Sequence, residues 1–209
     1  MMADIAQLRQ LCPLPGTAAE LEGMRTALAA PATALFTRTA STEPQVRTMD
    51  LSHARILAFA THGLVAGEMR GAAEPGLVLT PPATASADND GYLAASEISA
   101  LRLDADWVIL SACNTAAGDG SAGAPALSGL ARAFFYAGAQ NVLASHWKVV
   151  DDAGPRLTVS TIALQRARPG IGRAAALQQA MREVRRDSVH PYWSHPAVWA
   201  PFVLVGDAN

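Results

Sequence analysis

Two short motifs carry residue types that can do chemistry together. Ala60-Thr61-His62-Gly63 closes one apolar run, and Ser111-Ala112-Cys113-Asn114 closes another. A histidine close to a cysteine in space takes the thiol proton and later returns it to a leaving amine. A thiol with an ordinary pKa of about 8.5 is mostly protonated at neutral pH, so it needs such a partner. Acyl transfer also needs donors aimed at the developing oxyanion. Gly63 has no side chain, so its N–H can approach a substrate carbonyl closely, with the Cys113 N–H as second donor. Ser111 and Ala112 are small and leave room for an extended peptide beside the sulfur. The combination points to a cysteine peptidase, with His62 as base then acid and Cys113 as nucleophile.

The positioning elements are legible around these motifs. Ile56-Leu57-Ala58-Phe59-Ala60 and Trp107-Val108-Ile109-Leu110 are nearly continuous in apolar residues. Such runs are buried on both faces, as in parallel sheets, where chemistry collects at the carboxyl ends of strands. His62 and Cys113 each stand at such an end, 51 positions apart. A lone cysteine on a buried strand is a small core hydrophobe and a lone histidine a hydrogen-bonded one. The occurrence of both at strand ends, each beside small residues, selects the dyad.

Elsewhere, Thr17 to Ala29 has helical spacing, with Thr17 three residues before Glu20 as a capping box. Ala32 to Thr37 is expected as a short strand, and Ser41 to Met49 as a helix capped by Ser41 or Thr42. Gly76 to Leu79 and Gly91 to Ala94 flank a hairpin arm crossing above the sheet, followed by a helical turn over 97–102. Further expectations are a helix from Pro125 to Ala137 ended by Gly138, and a strand from Asn141 to Trp147. Helices over 152–168 and 172–186 and a last strand over 201–205 complete the pattern. Strands alternating with helices imply a parallel sheet covered on both faces.

Of 209 residues half are hydrophobic and 16% charged, which suits one compact α/β domain over 1–209. That this domain is the C-terminal part of a longer protein stays open. A net charge of −2 gives no nucleic-acid footprint, and two cysteines make no disulfide framework. No apolar stretch approaches the roughly 18–20 residues of a membrane span, and the N-terminus has no signal-peptide pattern. A cytoplasmic protein without a membrane partner is expected, where a free thiolate survives.

The residues also resemble a known family. Ala60-Thr61-His62-Gly63, Ser111-Ala112-Cys113-Asn114-Thr115 and the closing Trp199-Ala200-Pro201-Phe202-Val203-Leu204-Val205-Gly206 are similar to the CHAT domain, a caspase-like module often found behind tetratricopeptide repeats. Leu14-Pro15-Gly16 and Gly91-Tyr92-Leu93 add to the likeness, which runs from about Leu14 to Gly206. The resemblance implies a caspase-like three-layer α/β/α sandwich with a mostly parallel central sheet. It carries His62 and Cys113 over as the catalytic dyad, and their separation agrees with the roughly 50 residues seen in caspases. It implies an endopeptidase acting on protein or peptide substrates, regulated by a sensor such as tetratricopeptide repeats in bacterial defence or signalling. No cofactor is called for. The rival is a catalytically silent interaction module that keeps the fold without turnover.

Asp151 and Asp152 begin the segment just past the strand next to the cysteine strand. They are read either as caps of the following helix or as recognising a basic P1 side chain. The latter resembles separase, in which an acidic residue sits in the S1 pocket. Gly118-Asp119-Gly120-Ser121-Ala122-Gly123 fits G-x-G-x-x-G, but five residues separate it from the strand, where a dinucleotide fingerprint allows none. It is read as a mobile loop beside the active site. Ser86, Asp88, Asp90, Gly91 and Glu97 come close to a calcium loop without its flanking helices, so a polar hairpin turn is expected. His53, His146, His190 and His195 lack zinc spacing, and no metal site is expected. His146 is read as structural, and Cys12 as inert.

Overall fold

The computed structural model describes residues 2–112 and 129–207. Four strands form the main sheet: β1 (Ile56–Phe59), β5 (Trp107–Leu110), β6 (Asn141–Ser145) and β7 (Phe202–Gly206), in the order β1-β5-β6-β7. The first two pairings are parallel, and β7 closes the sheet antiparallel to β6. Every residue of β5 and β6 is buried, because helices cover both faces.

The period-2 alternation of β5 divides its side chains between two cores. Trp107 and Ile109 join Met24 of α2 (Gly16–Leu28), Ile162 of α6 (Ala153–Ala167) and Leu177 of α7 (Arg173–Arg185). Val108 and Leu110 pack on the other face against Ile98 of α4 (Ala95–Ser99) and Leu130 and Phe134 of α5 (Gly129–Ala137). The result is a three-layer α/β/α arrangement with a mostly parallel centre.

The expected hairpin arm is a second, antiparallel sheet of β2 (Gly63–Leu64), β3 (Gly76–Val78) and β4 (Tyr92–Ala94). An N-terminal arm with one short helix, α1 (Ile5–Leu8), lies against it. The arm is tied down through Asp4 N–H to the Arg70 carbonyl and Ala3 N–H to Asp90 Oδ2. A further short helix, α3 (Glu43–Thr48), is capped by Thr42.

Two local expectations fail. Ala32 to Thr37 is no strand: 3-10 turns occupy Ala32–Ala34 and Arg38–Ala40. β-propensity expresses packing against neighbours more than a backbone preference, and Ala32 to Ala34 are exposed. The capping box at Thr17 also does not form. The α2 N-cap is Pro15, Thr17 Oγ1 donates to the Leu14 carbonyl at 2.8 Å, and Glu20 turns into the interior. The helix expected from Pro125 is described only from Gly129, and the glycine-rich loop of Gly118 to Gly123 lies outside the described residues.

Candidate active site

The geometry of the site starts from one register. Phe59 pairs with Leu110 across the parallel β1–β5 ladder. His62 follows Phe59 by three residues, and Cys113 follows Leu110 by three. Phe59 and Leu110 therefore lie level at the carboxyl ends of two adjacent parallel strands, about 4.8 Å apart, and His62 is carried just beyond the first of them. Cys113 and its N–H lie outside the described residues.

Three contacts fix His62 and its neighbours. Val78 N–H donates to the His62 carbonyl at 2.9 Å, and Thr61 Oγ1 donates to the Val78 carbonyl. His62 Nε2 lies 2.7 Å from the Cys12 carbonyl oxygen. A carbonyl only accepts, so Nε2 carries the hydrogen and, in the neutral ring, Nδ1 keeps its lone pair. The N-terminal arm thus sets the histidine tautomer. Sequence reading missed this role, because a backbone carbonyl leaves no residue-type signature.

Gly63 stands beside this histidine. Since Val78 bonds His62, the alternation of an antiparallel ladder turns the Gly63 N–H away from β3. It has no partner among the described residues.

Beyond Ser111 and Ala112 lies a cleft of about 50 Å³, also lined by Leu14, Glu20, Val149 and Asp151. Glu20 is 3% exposed and forms no ion pair among the described residues. Burial pushes its carboxyl above the usual range, opposed by Thr158 and Ser111. Thr158 Oγ1 donates to Glu20 Oε1 at 2.7 Å. The Ser111 N–H donates to the Phe59 carbonyl at 2.9 Å, and Ser145 Oγ donates to the Ala112 carbonyl. The end of β5 is therefore held from both neighbouring strands, and Glu20 is the buried polar group that sequence reading placed in a cap instead.

Asp151 is exposed and lines the cleft, and Asp152 is exposed at the N-cap of α6 without making a capping hydrogen bond. His146 and Trp147, just past β6, are both exposed, and the Trp147 indole N–H donates to the Ala197 carbonyl at 2.9 Å. Cys12 is exposed and carries a free thiol.

Among the described residues no group of three or more His, Cys, Asp or Glu could hold a metal ion. Asp90 accepts from Ala3 and Tyr92 N–H, and Glu97 from Ala94 N–H and Arg47, so these carboxylates serve the backbone. No helix among the described residues is long and apolar enough to cross a membrane.

Comparison with known proteins agrees with this architecture. Mouse (Mus musculus) "Tetratricopeptide repeat protein 28" is 35% identical over 114 residues, which is 54% of this chain and 4% of that protein. The chain therefore spans a small fraction of a much longer relative. The family model of the CHAT domain matches residues 3–207. With a mostly parallel sheet between two helical layers, as a caspase-like fold requires, the chain belongs to the CHAT domain family.

Proposed function

We propose that the chain is a cysteine endopeptidase working through His62 and Cys113. The observation that carries this reading is the Phe59–Leu110 pairing, from which both residues follow by the same three positions. His62 Nδ1 takes the Cys113 thiol proton, while the Cys12 carbonyl holds the Nε2 hydrogen. The thiolate attacks the scissile carbonyl carbon, and the oxyanion forms against the Gly63 and Cys113 N–H groups. Collapse of this intermediate expels the amine, which takes the proton from Nδ1 and leaves a thioester. Water then attacks the thioester, losing its proton to Nδ1, and that proton returns to sulfur as the acid product leaves.

Asp151 is the stronger candidate for recognising a basic P1 side chain, because it lines the cleft beside Ser111 and Ala112. The likeness to a tetratricopeptide repeat protein supports an attached or partner sensor as regulator. The reading places the reaction in the cytoplasm, in defence or signalling, with no cofactor.

One observation favours the silent interaction module. A cleft of about 50 Å³ holds little more than a water or two, so an arginine enters only if the cleft widens. Labelling with a peptidyl electrophile decides between the readings. An active site labels Cys113 faster than the exposed Cys12 and loses that labelling in His62→Ala. Equal labelling of both thiols, unchanged by His62→Ala, overturns the peptidase.

A further inference from the structure

A groove of about 800 Å³ runs along the outer edge of β1. β1 is the edge strand of its sheet. The carbonyls of Arg55 and Phe59 accept from the N–H groups of Trp107 and Ser111 on the β5 side. Strand alternation therefore turns the N–H and C=O of Ile56, Ala58 and Ala60 toward the groove. None of these groups has a hydrogen-bond partner among the described residues. All four β1 residues are half-buried, whereas β5 and β6 are buried throughout. A row of unpaired backbone groups in a half-buried setting is costly and offers a ready template for another strand.

The walls specify what fits. Leu21, Met24 and Leu28 of α2, Val46 of α3, and Leu35 and Phe36 of the 3-10 segment line the groove. Arginines supply all the charge in the lining: Arg25 is paired with Glu22, and Arg38 has no ion-pair partner among the described residues. The described chain cannot fill the space with its own ends. Its N-terminal arm is tied to the second sheet, and β7 sits at the opposite edge of the first.

We propose that the β1 edge is a docking site for an extended segment of a partner polypeptide, apolar along Ile56 to Ala60 and carrying an acidic residue beside Arg38. Backbone hydrogen bonds to Ile56, Ala58 and Ala60 supply register, and apolar side chains fill the pocket, as in β-strand addition elsewhere. β1 runs directly into Ala60-Thr61-His62, so occupancy stiffens the strand that carries the candidate base. The docking itself does not depend on catalysis.

The test uses the whole chain and a fluorescein-labelled peptide, Val-Thr-Val-Ile-Val-Asp-Glu, blocked at both ends, followed by anisotropy. Saturable one-to-one binding is expected. Ala58→Pro removes only the outward N–H and leaves the β5 ladder intact. It should weaken binding about tenfold, the effect of one unmade hydrogen bond. Arg38→Glu should weaken it too, and a peptide with Lys in place of Asp and Glu should restore it. If Ala58→Pro does not fold, N-methylated peptides replace it. Methylation of one alternate set of residues should abolish binding, and methylation of the other should not. Absence of binding, equal binding of both methylated sets, or self-association of the chain that Ala58→Pro prevents, overturns the proposal.

Discussion

Thr158→Val isolates the buried network behind the candidate site. Threonine and valine have nearly the same shape, so the change removes a hydroxyl without opening a cavity. What it leaves is Glu20, 3% exposed, without the donor now 2.7 Å from Oε1. Stranding a buried acceptor costs about 1–3 kcal/mol, and more when the acceptor is charged. For a chain of this size each kcal/mol lowers Tm by roughly 2–4 °C, so a fall of about 2–12 °C is expected. The pH dependence sharpens the test. Glu20 has a folded pKa raised chiefly by burial, so the folded state binds its proton more tightly than the unfolded chain. Its contribution to stability is then fully present below the ordinary value of 4.5 and is lost as pH rises through the raised one. Thr158 favours the ionised form, so the gap between wild type and Thr158→Val should widen as pH rises above the ordinary value of 4.5. Glu20→Gln removes the titration, and its stability relative to wild type should rise over the same window. Far-UV circular dichroism melts and urea titrations read both quantities. A Thr158→Val penalty under about 0.5 kcal/mol, typical of a neutral surface change, or a gap that does not grow with pH, refutes the account.

The other expected outcomes concern the site and one backbone constraint. Cys113→Ala and His62→Ala should each abolish peptide cleavage while costing only about 1 kcal/mol of stability; cleavage retained by either variant removes its assigned role. A positional-scanning library should show Arg ahead of Lys at P1, with Asp rejected. Asp151→Ala should erase that preference and Asp152→Ala should keep it; an apolar P1 profile unaffected by both changes removes the carboxylates from recognition. Gly138 ends α5 at φ +112°, and a Cβ there would sit 2.2 Å from the Leu103 carbonyl oxygen. Gly138→Ala should therefore cost about 1–3 kcal/mol or more in urea titration, and a neutral result would contradict this turn geometry.

The sequence by itself determined the strands of the main sheet and the helices that cover them. Burial on both faces demands unbroken apolar runs, and Trp107 to Leu110 and Val142 to Ala144 satisfy that demand locally. His62 was legible as a strand-end residue for a related reason: a polar residue that abruptly ends such a run marks the carboxyl end of the strand, and His62 stands just past β1. Only the tertiary structure decided what those runs meet. Glu20 reads as a capping residue, yet the helix starts too early for that role and its face is turned toward Thr158 of α6, which is 138 positions away. The Cys12 carbonyl reaches His62 because the N-terminal arm is pinned to the second sheet by Asp90 and Arg70. Ala32 to Thr37 has strand-like residues but no strand beside it, and the space where a partner would lie is the groove along β1. Local propensity records what a segment prefers, whereas a carbonyl's target, a buried carboxylate's donor and a strand's neighbour are set by contacts between segments far apart in the chain.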